Sequence, residues 1–235
     1  MKKLLLEDIY TQENGEYLKK NPTWHLEDSP WKARQILKML KRNKMHPRTI
    51  AEVGCGVGEI LNQLYASLPA TVNFAGYDIS PDCINLAKKR EKNRLQFKFE
   101  NFQEGNENYD LMLMIDVFEH VSDYLGFLKM CRTRAGHAIF HIPLDVSAQS
   151  VIRSKLIKKR RSVGHLHYFT KETATATLTD AGYEVIDYFY TRNDLIDGKP
   201  LAARMAYLPR KLLYKFNKDL AVKLLGGYSL LVLTK

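Results

Sequence analysis

Glu52 to Gly58 read Glu-Val-Gly-Cys-Gly-Val-Gly, directly after the short apolar run Thr49 to Val53. Alternate glycines let the backbone turn tightly and approach a ligand closely. A helix starting behind them would offer unpaired N–H groups. The next apolar run, Val72 to Tyr77, ends at Asp78, whose carboxylate has two acceptor oxygens and suits a vicinal diol. Downstream stand His137, His141, His165 and His167. Histidine titrates near neutral pH and suits proton removal. These residue types offer a backbone cradle for a ligand, a carboxylate acceptor and groups able to take a proton.

A dinucleotide site would need a third glycine three residues after the second of a closely spaced pair. Counted from Gly54 and Gly56 that position is Glu59, and counted from Gly56 and Gly58 it is Leu61. The dinucleotide pattern fails. An acidic residue followed by three alternating glycines instead resembles the first motif of class I S-adenosylmethionine-dependent methyltransferases. Asp78, in Gly-Tyr-Asp-Ile-Ser, stands where that family has the acidic residue of its ribose contact. The run Tyr109 to Val121, with Asp116-Val117-Phe118-Glu119-His120, is similar to the fourth-strand region of the ubiquinone-biosynthesis O-methyltransferase-like group.

The resemblance implies S-adenosyl-L-methionine as cofactor. It places the methionine end against Glu52, Gly54, Cys55, Gly56 and Gly58, the ribose on Asp78 and Ile79, and the adenine near Asn101 and Phe102. Asp116 and Val117 complete the implied contacts. Methyltransferases that act on nucleobase or amide nitrogens often carry a Pro-Pro-Tyr-like segment after the fourth strand; Val117-Phe118-Glu119 departs from it. A small-molecule acceptor methylated at oxygen is therefore the leading expectation. The run Gly164-His165-Leu166-His167-Tyr168-Phe169-Thr170 is similar to a stretch preceding the fifth helix of many relatives, which makes His165 the first candidate base and His167 the second. His141, near the carboxyl end of an expected strand, is the third, because ligands gather at those ends in open α/β sheets. Glu119 and His120 read as helix-capping and packing residues, and Asp116, Asp123 and Asp145 are not spaced for a metal site, so no metal is expected.

The elements that must position these residues follow from hydrophobic period and end signals. Strands are expected at 49–53, 72–77, 95–99, 111–115, 137–142, 183–190 and 228–234, the fifth stopped by Pro143. Helices are expected at 30–43, 59–67, from Ser80-Pro81, at 122–132 and at 170–181, with Ser80 and Thr170 as caps. Alternating strands and helices imply an α/β, Rossmann-like, mostly parallel sheet with helices on both faces. The family resemblance adds an antiparallel last strand, making seven. A single domain over 1–235 is expected, with an N-terminal lid at 1–46, a cofactor-binding half at 47–143, and insertions at 144–168 and 191–227 over the acceptor. The lid would carry Tyr17, Trp24, His25, Trp31 and Lys32.

The formal net charge is +10, and such a balance attracts anions. Arg153, Lys155, Lys158, Lys159, Arg160 and Arg161 crowd the first insertion; Arg204, Arg210, Lys211, Lys215, Lys218 and Lys223 occupy the second. The acceptor is accordingly expected to be an anionic small molecule. Two other readings remain open. An RNA methyltransferase would suit the charge, but no aromatic stacking strip or added RNA-binding module is evident, which argues against nucleic acid. A membrane-surface protein with a methyltransferase-like fold would suit 208–225, read as one basic amphipathic helix with Leu212, Leu213, Phe216, Leu220 and Leu224 on one face. Three cysteines without Cys-x-x-Cys spacing form no disulfide framework. With no signal-peptide core or membrane span, a cytoplasmic location is expected. The oligomeric state is left open.

Overall fold

The computed structural model describes residues 26–192 and 207–235. Its strands are β1 (Thr49–Val53), β2 (Asn73–Asp78), β3 (Leu95–Phe99), β4 (Tyr109–Ile115), β5 (Ala135–Leu144), β6 (Val185–Thr191) and β7 (Tyr228–Thr234). They form one sheet in the order β3-β2-β1-β4-β5-β7-β6. The first five are mutually parallel, and β7 inserts antiparallel between β5 and β6. This is the expected Rossmann-like sheet. Its strand order reverses beside β1, so the carboxyl ends of β1 and β4 open a crevice at the switch point where α/β sheets bind ligands.

The helices are α1 (Ser29–Arg42), α2 (Glu59–Ser67), α3 (Pro81–Ala87), α4 (Tyr124–Arg132), α5 (Ala148–Ile152), α6 (Lys155–Val163), α7 (Lys171–Asp180), α8 (Tyr207–Phe216) and α9 (Lys218–Leu225). One sheet face packs against α1, α2 and α3 around Ile36, Met39, Leu61, Leu64 and Ile84. The other packs against α4 and α7 around Leu128, Cys131, Ala174 and Leu178. The central strands are buried on both faces, so β4 reads as the continuous apolar run Leu111 to Ile115. Ser80 and Thr170 cap α3 and α7, each accepting from the backbone N–H three residues on.

The structure corrects two expectations. Pro143 does not end β5, which continues to Leu144. The last β4 partner of β5 is His141, so beyond it β5 is flanked only by β7, and the proline's missing donor breaks no β4 ladder bond. The helix expected over 208–225 is two, because Asn217 leaves the helical conformation and caps α9 through the Leu220 N–H. Helix α1, within the segment 1–46 expected as a lid, also contributes to the core. Ala33, Ile36, Met39 and Leu40 are core residues, and only its first turn reaches the crevice.

Candidate active site

The Gly54–Gly58 loop is shaped by its glycines. Gly54 has φ +69°, and a Cβ there would come within 2.7 Å of the Val117 side chain. Gly58 has φ +79°, and a Cβ there would come within 2.3 Å of the Phe97 ring. Side chains at either position would be strained and obstructed. At Gly56, an added Cβ would meet no atom within 4 Å. The loop therefore presents bare backbone to open space at the start of α2. Gly58 itself does not line the cavity; it is the turn that packs the loop on β3.

Asp78 joins the loop to β2. Its Oδ2 accepts from the Gly56 N–H at 2.8 Å and its Oδ1 from the Ser80 N–H at 2.8 Å. Burial pushes its carboxyl above the ordinary value, with these amide bonds pulling against the rise. Glu52, at the end of β1, is 1% exposed, and its Oε2 lacks a hydrogen-bond partner. Burial holds its pKa far above the carboxylate range, with Lys32 a partial counterweight.

These residues open onto a cavity of about 710 Å³, in the range that holds a drug-sized ligand. Its wall brings together Glu52, Gly54, Cys55, Gly56, Asp78, Ile79, Asn101, Phe102, Asp116, Val117, His141 and His165. Asn101 caps a short 3-10 turn through the Gln103 N–H, and Phe102 is buried against Tyr77. With Ile79, they form the side of the cavity nearest the β2 and β3 ends.

At the end of β4, Asp116 adopts φ +56°, a left-handed conformation rare outside glycine. Several bonds hold it there. Its N–H donates to the His141 carbonyl at 3.0 Å, and its carboxylate lies 2.6 Å from His141 Nδ1 and 2.8 Å from Lys32 Nζ. Burial alone would raise the Asp116 carboxyl, but the His141 and Lys32 charges outweigh it and hold the pKa well below normal. Burial opposes the Lys32 ammonium, yet Asp116 lifts its pKa above normal. His141 Nε2 pairs with Thr191 Oγ1 at 2.8 Å. Both ring nitrogens of His141 are thus engaged, and its geometry is that of a brace for the β4 turn.

His165 stands differently. Its Nδ1 bonds to Asp145 Oδ2, whose other oxygen lies 3.2 Å from Lys159 Nζ of α6. Burial opposes ionisation of Asp145, but the bond from His165 and the Lys159 charge hold the carboxyl below normal. The His120 ring meets the His165 ring edge-on at 4.9 Å. Burial and the His165 charge push His120 down to about 4. The structure does not bring His167 to the cavity wall: its Nε2 pairs with the Val121 carbonyl at 3.0 Å and its ring packs on Tyr124.

Sequence reasoning missed several features. Asp145 is the partner of His165, and Lys32 the partner of Asp116. Glu119, read as capping, is 0% exposed, and neither carboxyl oxygen has a hydrogen-bond partner. Its backbone carbonyl accepts from Leu166 at 2.9 Å and His167 at 3.1 Å, and its Oε1 lies 3.9 Å from His120 Nε2. Burial, with Asp116 nearby, lifts its pKa far above normal. The ligand-type atoms of Glu119, His120 and His165 lie within 4.8 Å of one another. An acidic residue and a histidine straight after a buried strand were the available signal. Tyr17, Trp24, His25 and Arg204 lie outside the described residues.

A family model for a methyltransferase domain matches residues 24–188. The mitochondrial ubiquinone biosynthesis O-methyltransferase of Saccharomyces cerevisiae is 27% identical over 92 residues, covering 37% of this chain and 29% of the relative. The ubiquinone biosynthesis O-methyltransferase of Actinobacillus pleuropneumoniae is 29% identical over 103 residues, covering 39% and 43%. The matches thus span less than half the length of these curated relatives. Magnesium protoporphyrin IX methyltransferase from Synechocystis PCC 6803, solved with bound SAH, superposes with a TM-score of 0.60 at 14% identity, covering 96% of this chain and 90% of that one. At that identity the likeness is one of fold. Among the described residues, no helix is long and apolar enough to cross a membrane.

Proposed function

The chain belongs to the methyltransferase domain family, and from that premise we propose that it moves the methyl group of S-adenosylmethionine to an oxygen of a small anionic molecule, with His165 as general base. The observation that carries this reading is His165, bonded from behind by Asp145, on the wall of the same cavity as the Gly54–Gly56 loop and Asp78.

The residues fit the cofactor. Gly56 leaves open space where a ligand would meet backbone, and Asp78, with two carboxylate oxygens, has acceptor capacity beyond the amides it holds. The methionine end carries an ammonium and a carboxylate; Asp116 and Lys32 offer both signs of charge, and Glu52 a buried carboxyl whose Oε2 lacks a hydrogen-bond partner. When bound, the cofactor supplies a methyl group already activated on a sulfonium. The protein therefore needs mainly to align the acceptor and exclude water. A neutral hydroxyl must also lose its proton. Asp145 fixes the His165 tautomer through Nδ1, which leaves Nε2 to take that proton. The proton would end on the imidazole as the acceptor oxygen forms its new bond to the methyl group, and Asp145 would stabilise the resulting imidazolium. Lys159 and Arg192 on the cavity wall favour an acceptor carrying a carboxylate or phosphate.

The test is turnover of S-adenosylmethionine with matched panels of hydroxyl and amine acceptors, each in charged and neutral forms. Methoxy products from the anionic hydroxyl compounds are expected. Products methylated at nitrogen would overturn the oxygen assignment, and equal turnover of neutral analogues would overturn the anionic one.

A further inference from the structure

Helix α6 has the sequence Lys-Leu-Ile-Lys-Lys-Arg-Arg-Ser-Val, yet none of its residues is buried. Its cations fall three and four positions apart, as in Lys155, Lys158 and Lys159, where like charges destabilise a helix. A nine-residue helix is also marginal on its own in water. Its N-cap Ser154 makes no side-chain cap bond. Among the described residues, the carboxylate ion-paired to these cations is Asp145, on Lys159.

The surroundings of α6 carry exposed apolar groups. Ile152, at the end of α5, is 82% exposed, and Ile157 on α6 is 54% exposed. On α8, Leu212 and Phe216, one turn apart, are 59% and 80% exposed; Leu220 and Leu224 repeat the spacing on α9. These helices are neighbours. Ser147, which caps α5, abuts Gly226 at the end of α9, and the Arg210 guanidinium reaches the Leu225 carbonyl at 2.9 Å. Partial desolvation, with the charges of Arg153, Arg210, Lys158 and Lys159, holds Lys155 below its ordinary pKa, so the cations of α6 and α8 share one field.

We propose that α5, α6, α8 and α9 form a docking surface for an anionic lipid bilayer, with the cations among the headgroups and Ile152, Ile157, Leu212 and Phe216 at the acyl boundary. The mixture of groups favours this occupant. Cations alone would suit any polyanion, but apart from Phe216 the apolar groups here are branched aliphatics, which have no stacking role on a nucleic acid. At a bilayer both are used: apolar groups enter the interface, and each juxtamembrane cation adds attraction. An anionic surface would also relieve the repulsion within α6. Lys159 and Val163 of α6 line the cavity, so its mouth would lie beside the membrane. The inference rests on the surface alone and stands whether or not His165 is the base.

The experiment is co-sedimentation of the full chain with phosphatidylcholine vesicles and with vesicles in which roughly one-third of the lipid is phosphatidylglycerol. Two variants accompany it: Ile152→Ser with Phe216→Ser, and Lys158→Gln with Arg160→Gln and Arg161→Gln. Wild-type protein should pellet with the anionic vesicles and stay in solution with phosphatidylcholine. The charge variant should lose affinity by about fivefold per cation, roughly 100-fold in all. The apolar variant should desorb as well, while keeping wild-type affinity for S-adenosylhomocysteine as evidence of folding. Wild-type protein that stays in solution would overturn the proposal. So would an apolar variant that pellets unchanged, a single-stranded RNA probe bound equally by wild type and apolar variant but lost in the charge variant, or a dimer in sedimentation velocity that Phe216→Ser abolishes.

Discussion

The two ends of the cavity are built by different means. At the cofactor end, contacts run between segments adjacent in the sheet and largely through backbone: Gly56 N–H to Asp78, Ser80 N–H to Asp78, and Cys55 N–H to the Tyr77 carbonyl at 3.0 Å. At the acceptor end, side chain meets side chain, as His165 with Asp145, and some of these pairs are distant in sequence, as His141 with Thr191. A backbone cradle accepts a cofactor common to many enzymes. A side-chain wall can change with the acceptor while the cradle stays. The two ends should therefore fail independently, one in binding and the other in turnover.

The sharpest break is His165→Ala. It should lower turnover about 100-fold or more, as loss of a general base does, while calorimetric affinity for S-adenosylhomocysteine stays at the wild-type value. Full activity would remove His165 from the chemistry. Asp78→Ala should do the reverse, weakening S-adenosylhomocysteine by about 1–3 kcal/mol through lost charged hydrogen bonds. With saturating cofactor, its turnover should recover. If titration showed unchanged affinity, the cofactor end would need another ribose contact. A variant that damaged both quantities equally would mean that the two ends are mechanically coupled.

The same contrast explains what could be read from the sequence. The glycine loop and Asp78 were legible because strand, turn and helix succeed one another along the chain, so spacing encodes geometry. β4 was legible because burial on both faces leaves an unbroken apolar run. The acceptor end was not, because its geometry depends on which distant segments meet. His165 and His167 are two residues apart, but the Leu166 and His167 amides both turn to the Glu119 carbonyl. One imidazole then lines the cavity and the other packs on Tyr124. The reach of Lys32 from α1 to Asp116, the orphaned Glu119 carboxyl and the break at Asn217 likewise depend on tertiary contacts that no local period records.

Weaker perturbations should refine the picture of the acceptor wall. Lys159→Gln removes one half-exposed cation from the cavity mouth. For an anionic acceptor it should raise KM by about two- to fivefold, in keeping with the roughly 0.2–1 kcal/mol of a solvent-screened ion pair. A neutral acceptor should show no change. If KM rose equally for both, Lys159 would act by positioning Asp145 rather than by attracting charge.

The smallest net effect should appear in stability against pH, and its sign identifies His120. Burial and the His165 imidazole hold His120 near 4 in the folded chain, against an ordinary value of about 6.5. Between those values the unfolded chain binds a proton that the folded chain refuses. Stability from this group is complete above about 6.5 and is lost as pH falls toward 4. Glu52 and Glu119 work in the opposite sense, because their raised values favour the folded state at low pH and cost stability as pH rises above the ordinary carboxylate value. The wild-type slope is therefore a partial cancellation, and a single melting curve would hide it. Comparison with His120→Gln isolates the histidine. The difference in unfolding free energy between wild type and variant should be flat above pH 6.5 and should move against the wild type as pH falls below it. A flat difference across the whole interval would mean that His120 meets water in the folded state, and that the acceptor wall is more open than its packing against His165 implies.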